Sequence, residues 1–372
     1  MEYARQDINY MKRALKHATR GIGYVEPNPA VGCVIVKGNQ IIGQGWHKKF
    51  GDAHAEVNAI EDCKEIGANP KDSTMFVTLE PCCHHGKTPP CTKAIIDAKV
   101  KKVFIAIADP SEHVGGKGIE QLKEAGLEVD IGLCQHEAKL LNPWFIKYAQ
   151  TKRPWTILKW AQSIDGKLAY ANIDDEHRWI SNATSRKDVH ALRRQCQGIL
   201  VGINTILADD PQLTPRPPRG KKPARIVLDS NLRIPLTCTV MRTTKSFPTI
   251  VITTHQAVSE NPKKADRIFE KGAEVIVVPS LDGKCDLTVA LDGLGDRGIA
   301  QLLVEGGREV IASFIRSHLA DEARIYIAPK FLGPDGDADI TETLIDITAD
   351  LKHTSVTNLD GDTCIRGLFK DI

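Results

Sequence analysis

His54 stands two residues before Glu56, Cys82 follows Pro81, and Cys91 lies nine residues after Cys82. One imidazole and two thiols form a donor set suited to tetrahedral zinc, with three protein ligands leaving the fourth corner for water. Zinc lowers the pKa of a water held there to near neutrality. Hydrolysis of a carbon–nitrogen bond also needs a proton carrier, because the amine leaves as ammonia. Glu56 suits that task, being close to His54 and a poor competitor for a filled His/Cys/Cys site. A zinc that served structure alone would take all four ligands from the protein. Cys83, His85 and Cys33 are the neighbours that offer a fourth; all three are read as packing residues.

The elements that must carry these residues alternate. Ala30–Val36 reads as a buried strand, turned by Lys37-Gly38-Asn39 into a second strand, Gln40–Gly43. A helix beginning near Ala53 places Val57 and Ile60 on one face. Further strands are expected at Thr74–Leu79 and Val103–Ala106, and helices at Cys91–Ala98 and Ile119–Ala125. This order implies a layered α/β domain with helices over a central sheet. The pattern weakens from Asn142 to Pro154, which puts a boundary near 150 and domains at 1–150 and 151–372. The second series has strands at 155–158, 199–201, 226–228, 250–252, 275–278 and 302–304. Its helices are expected at 185–194 and 308–317.

With 372 residues, two domains is the natural expectation, each long enough for its own core. A formal charge of +2 argues against a dedicated nucleic-acid or membrane-surface protein. The polar opening Met1–Asp7 has no secretory signal, and no run approaches the roughly 20 apolar residues of a membrane helix. Ten cysteines, two of them adjacent at 82 and 83, suit a reducing compartment, so a cytoplasmic protein is expected.

The second half lacks Gly-x-Gly-x-x-Gly after its first strand, which removes support for an ordinary Rossmann site. Gly306 and Gly307, just before the helix from Arg308, instead make a cradle for cofactor phosphate. A tight turn that needs no ligand is the plain alternative. Arginine offers forked donors to a phosphate, but Arg193-Arg194 taken alone reads as a solvated helix face. The basic loop 216–222 reads as an ordinary exposed loop with some capacity to steer a phosphorylated substrate.

His-x-Glu followed by Pro-Cys is the signature of zinc nucleobase deaminases, although their usual two-residue gap between the cysteines is eight residues here. Glu80–Cys91, Pro27–Cys33 and Gly43–His47 resemble the deaminases of riboflavin biosynthesis, with Cys83 where serine is usual. That resemblance implies a cytidine-deaminase-like three-layer α/β/α fold, with Asn28, His47, His84, Lys87 and Asp109 lining the substrate pocket. Ser111 stands where the family often has asparagine.

The second half is similar to reductases of the dihydrofolate-reductase fold, through Lys159–Lys167, Arg178–Ser181, Gly198–Pro211 with Leu213–Arg216, and Leu303–Arg308. By that resemblance Ala161, Trp179, Thr205, Asp209 and Ser230 contact a nicotinamide cofactor. His177, Arg193, Leu213, Arg216 and Glu305 would face the substrate. Asp209 is also a candidate proton donor, and the segment 171–177 is longer than usual.

Together these readings imply a bifunctional enzyme that takes a phosphorylated pyrimidine as substrate and needs Zn2+ and NADPH. It would act neither on nucleic acid nor at a membrane and would form a homo-oligomer, a dimer or tetramer. Zinc-dependent removal of an exocyclic amino group from a diamino-pyrimidinone ribosylamine phosphate would precede reduction of its ring-opened ribose. Two rivals stand beside it: a tRNA- or cytosine-type deaminase with an unrelated second domain, and a non-enzymatic zinc-stabilised nucleotide-binding module.

Overall fold

In the computed structural model, residues 3–84, 89–111, 115–172, 178–217 and 222–372 are described. Two compact units divide the chain, Met1–Thr151 (joined by Ile372) and Lys152–Asp371.

Among its described residues the first unit is built on five strands: β1 (Gly32–Lys37), β2 (Gln40–Trp46), β3 (Thr74–Val77), β4 (Lys102–Ile105) and β5 (Glu128–Ile131). Their order is β2-β1-β3-β4-β5, with β1 antiparallel to both neighbours and β3, β4 and β5 parallel. Among the described residues six helices accompany them: α1 (Arg5–Ala18), α2 (Ala55–Glu65), α3 (Cys91–Asp97), α4 (Lys117–Glu124), α5 (Gln135–Leu141) and α6 (Pro143–Thr151). Side chains alternate across a strand, and β1 uses both faces. Cys33 and Ile35 pack with Ala55, Ala59, Ile95 and Leu122 of α2, α3 and α4. Val34 and Val36 pack with Met11, Ala14 and Ala138 of α1 and α5. This is the α/β/α sandwich expected from the sequence. A Cβ on Gly45 would lie 2.4 Å from the Ala55 carbonyl oxygen, so glycine there lets β2 run directly beneath the start of α2.

The stretch 142–154, weakly patterned in sequence, holds a helix instead. Pro143 opens α6, where proline lacks only an amide that no helical carbonyl would have received, and Pro154 lies past its end. Its buried residues are Pro143 and Trp144, which a search for an aliphatic stripe overlooks.

In the second unit the leading strands are β6 (Trp155–Ser163), β7 (Lys167–Tyr170), β8 (Gly198–Gly202), β9 (Ala224–Leu228), β10 (Thr249–Thr254) and β11 (Glu274–Val278). A small hairpin pairs β12 (Ser280–Leu281) with β13 (Lys284–Cys285). The remaining strands are β14 (Gln301–Val304), β15 (Glu322–Ala328), β16 (Gly336–Asp339), β17 (Lys352–Leu359) and β18 (Asp362–Leu368). Nine of these form one sheet, ordered β11-β10-β9-β8-β14-β6-β15-β18-β17. From β11 to β15 the strands are parallel; β18 and β17 add an antiparallel edge. Helices α7 (Ala183–Gln195), α8 (Ile203–Asp209) and α13 (Arg308–Arg316) matter for the site. Between α8 and α13 come α9 (Thr239–Arg242), α10 (His255–Glu260), α11 (Pro262–Glu270) and α12 (Leu287–Asp296), and α14 (Ile340–Leu344) follows. Strands at 199–201, 226–228, 250–252, 275–278 and 302–304 were legible as continuous apolar runs, which is how doubly covered parallel strands read. The antiparallel edge was not.

Candidate active sites

In the first unit, His54 is the N-cap of α2 yet makes no side-chain capping bond. Its Nδ1 turns instead to Cys82 Sγ at 3.5 Å and Cys91 Sγ at 3.3 Å. Cys91 opens α3, and its backbone amide donates to Cys82 Sγ at 3.4 Å, an arrangement that favours the thiolate. The three ligand atoms lie within 4.8 Å of one another. Tetrahedral zinc with bonds of about 2.0–2.3 Å needs ligand–ligand edges of about 3.3–3.8 Å, so the imidazole-to-sulfur spacings fit the ion. His54, Cys82 and Cys91 form the one such cluster of His, Cys, Asp and Glu found among the described residues.

Glu56 lies in the first turn of α2 and is 3% exposed. Burial pushes its carboxyl up to about 7, against the opposing pull of His54. His47, at the end of β2, is buried and held as a neutral ring, because desolvation lowers its pKa. Its Nδ1 donates to the Ala53 carbonyl at 3.1 Å, leaving Nε2 to accept from the Asn28 amide at 3.3 Å. The His47 ring meets the His54 ring edge-on, with centroids 5.1 Å apart. Thus Asn28, His47, His54, Glu56, Cys82 and Cys91 converge. Asp109 is half-buried after β4, where its Oδ1 accepts from the Ser111 amide at 2.8 Å. That bond uses the backbone, so serine at 111 makes it as well as asparagine would. His84 is exposed on the loop after Cys82. Lys87 and His85 lie outside the described residues.

Two asparagines brace this region and escape a reading of the sequence. Asn142 is buried; its amide accepts from Ala30 N and donates to Ala30 O, both at 2.8 Å, fixing the Asn28-Pro29-Ala30 turn. Asn58 donates to the Trp46 and Ala53 carbonyls at 2.8 and 3.0 Å, closing the loop that carries His47. A polar residue at the head of an aromatic-bearing stretch was the sequence signal at Asn142.

The second unit gathers its candidates at the carboxyl ends of parallel strands, where open α/β sheets bind ligands. Ala161 sits on β6, Thr205 on α8 after β8, Ser230 after β9, and Glu305 after β14. Gly307 is the N-cap of α13, and a Cβ there would meet nothing closer than Thr205 Oγ1 at 3.9 Å. On Gly306, by contrast, a Cβ would lie 2.7 Å from Val310 Cβ. The backbone therefore runs hard against α13 at 306 and lies open at 307, as a phosphate cradle requires.

Arg193, on α7, directs Nε and Nη2 to the two oxygens of Glu305 and Nη1 to the Thr214 carbonyl at 3.1 Å. Burial pushes the Glu305 carboxyl up, but Arg193 and Lys159 outweigh it and hold the pKa low. Lys159 on β6 is a further member that sequence reasoning missed: it is half-buried, its pKa is lowered by desolvation, and Glu305 and Arg193 both act on it. Arg216 is exposed, and its carbonyl accepts from Arg194 Nη1 at 3.3 Å. Leu213 is buried with φ of 52°, a left-handed conformation that costs a bulky residue energy. The Ser230 hydroxyl accepts from the Cys285 amide at 3.0 Å. Trp179 is exposed, flanked by the Arg178 and Arg186 guanidinium groups at 5.4 and 5.3 Å. Asp209 closes α8 with an exposed side chain. His177 lies outside the described residues, as do 218–221 of the basic loop.

Two family models match the chain: the cytidine and deoxycytidylate deaminase zinc-binding region over residues 4–107, and the RibD C-terminal domain over 154–365. The riboflavin biosynthesis protein RibD of Aquifex aeolicus is 43% identical over 363 residues, covering 96% of this chain and 97% of the relative. RibD of Escherichia coli is 37% identical over 366 residues, with 97% and 98% covered. Among solved structures, Acinetobacter baumannii RibD superposes with a TM-score of 0.81 at 35% identity, covering 98% of this chain and 99% of that one. A diaminohydroxyphosphoribosylaminopyrimidine deaminase/5-amino-6-(5-phosphoribosylamino)uracil reductase from Thermotoga maritima gives 0.78 at 35% identity, with the same coverage.

Proposed function

The chain belongs to the RibD family, the bifunctional deaminase/reductases of riboflavin biosynthesis, and from that premise we propose how its own residues divide the two reactions. Residues 1–150 carry the deaminase and 151–372 the reductase. The enzyme is a hydrolase and an oxidoreductase that uses Zn2+ and NADPH. When bound, zinc supplies Lewis acidity to water, and NADPH supplies a hydride.

His54, Cys82 and Cys91 hold the zinc. Glu56 takes a proton from the attacking water and returns it to the exocyclic nitrogen, so that C–NH2 and water become C=O and ammonia. Burial favours the protonated form of this carboxyl, and zinc beside it would favour the ionised form, so the group can both take and return a proton. Asn28 and His47, locked to each other, orient the pyrimidine, with His84, Lys87 and Asp109 completing its contacts. In the second unit Gly306, Gly307, Thr205, Ser230, Ala161, Trp179 and Asp209 hold the cofactor. Arg216 holds the substrate phosphate with an exposed guanidinium; Glu305, Arg193, Leu213 and His177 shape the pocket for the ring-opened ribose.

One observation carries this reading: three zinc donors with a buried carboxylate two residues from the imidazole, on a chain whose second half matches the reductase family. The rival, a tRNA- or cytosine-type deaminase with an unrelated second domain, is disfavoured because residues 154–365 match the RibD C-terminal domain. The test mixes protein, the diamino-pyrimidinone ribosylamine phosphate and NADPH, following ammonia and cofactor absorbance together. Both signals are expected; ammonia alone would remove the reductase assignment.

No helix among the described residues is long and apolar enough to cross a membrane. Ten cysteines, none of them in a disulfide, support a cytoplasmic setting. Strand β17, one of the sheet's two edge strands, pairs with β18 alone among the described residues and exposes Val356, which supports self-association as a dimer or tetramer. Light scattering should return two or four times the 40.9 kDa chain mass.

A further inference from the structure

We propose that Glu80 is a positioning residue of the deaminase, whose buried carboxylate sets where Asp109 stands relative to the zinc ligand Cys82. The inference rests on the reading of the first unit as a deaminase in which Asp109 touches substrate.

Glu80 is 6% exposed and lies two residues before Cys82. Its Oε2 accepts from the amides of Asp109 at 2.9 Å and Gly116 at 3.0 Å. Its Oε1 accepts from those of Gly118 at 2.9 Å and Ile119 at 3.2 Å. An ionised carboxylate is acceptor-only with about four lone-pair sites, and here each oxygen takes two N–H groups. Gly118 and Ile119 belong to the first turn of α4, whose amides have no carbonyl of their own helix to meet. The N-cap, Gly116, has no side chain to offer them. Glu80 therefore caps α4 from a distant segment, with its charge at the positive end of the helix. The same carboxylate grips the chain on both sides of residues 110–115.

The grip is tied to the metal site from its other end. The Glu80 amide donates to Ile107 O at 3.0 Å, just before Asp109, and the Thr92 amide donates to Cys82 O at 3.2 Å, beside Cys91. Pro81 stiffens the single residue between Glu80 and Cys82. Zinc ligand, carboxylate and Asp109 thus form one short connected frame.

Glutamine keeps the shape of this side chain but not its chemistry. Its NH2 end would face two N–H donors, leaving a pair of buried amides without acceptors. The Asp109 side can then drift, while His54, Cys82 and Cys91 still bind zinc.

The experiment uses full-length, zinc-loaded protein and compares wild type, Glu80→Gln, Asp109→Ala and the double variant. Zinc content, ammonia release against diamino-substrate concentration, and NADPH oxidation with already deaminated substrate are measured. We expect Glu80→Gln to keep its zinc and its reductase rate, and to raise the deaminase KM about tenfold, the scale of a lost buried hydrogen bond, with a smaller change in kcat. The double variant should be no worse than Asp109→Ala, because Glu80 acts through Asp109. A KM within twofold of wild type, or two effects that multiply independently, would overturn the proposal. If wild type releases no ammonia, the deaminase reading itself fails. Should Glu80→Gln not fold, amide exchange in the wild type decides: slow exchange at Asp109, Gly116, Gly118 and Ile119 is expected, and exchange at the rate of free amides would overturn the inference.

Discussion

Arg193 and Glu305, 112 positions apart, close on each other through two hydrogen bonds, Nε to Oε1 at 2.7 Å and Nη2 to Oε2 at 2.6 Å. Both side chains are largely withdrawn from solvent, at 16% and 10% exposure. A helix and a strand end are joined here by a forked pair that lysine cannot reproduce. Replacing Arg193 with Ala strands the carboxylate, and losses of about 3–5 kcal/mol are usual when one partner of a buried pair is removed. Urea unfolding of Arg193→Ala should show a loss of that size, together with loss of NADPH oxidation and retention of ammonia release. Unchanged stability would mean the pair contributes nothing.

Glu56→Gln separates proton transfer from metal binding. The variant should keep its zinc and lose about 10²–10⁴-fold in the rate of ammonia release, the usual worth of a general acid–base group. Cys91→Ser should lose zinc and deamination together. NADPH oxidation with deaminated substrate should survive in both, and its loss would argue against two separable activities.

The glycines after β14 give a paired test. A Cβ on Gly306 would meet Val310 Cβ at 2.7 Å, whereas one on Gly307 has no neighbour closer than 3.9 Å. Gly306→Ala should displace the start of α13 and raise the KM for NADPH about tenfold, equivalent to about 1.4 kcal/mol. Gly307→Ala should fold normally. Steady-state kinetics with varied NADPH checks the first and a thermal melt the second; a Gly306→Ala enzyme with wild-type KM would rule out the cradle.

How far the amino-acid sequence could be read follows from what kind of signal each residue leaves. His54, Glu56, Cys82 and Cys91 are rare residue types at fixed spacing, so their convergence was legible from the sequence alone. The parallel strands were legible as apolar runs. Helix α6 was not, because Pro143 and Trp144 bury without an aliphatic period. The braces Asn58 and Asn142 were hidden for a different reason: each acts on backbone atoms, and Asn142 reaches Ala30 across 112 positions. Long-range bonds to backbone leave no mark on the identity of the partner residue. Lys159 falls within a recognisable motif, but its place within reach of the Glu305 charge depends on the fold.

Acid should weaken the second unit through Glu322. Burial raises this carboxyl, but Arg324 and Arg366 pull harder and leave its folded pKa below the ordinary value. A depressed acid contributes stability that is complete above the unfolded pKa, about 4.3 for Glu, and is lost as pH falls through the folded one. Glu322→Gln should therefore be less stable than wild type at neutral pH, with the gap narrowing as pH falls below about 4. Urea midpoints across that range check it; a gap that widens in acid would reverse the sign.

Deamination as proposed requires a metal held by three side chains with one corner left to solvent and substrate. X-ray absorption at the zinc edge of the metal-loaded protein measures that directly. Two sulfur neighbours at about 2.3 Å, one imidazole nitrogen and one further light atom near 2.0 Å are expected. A third sulfur, such as that of Cys83, or a second imidazole in the fourth position would contradict it.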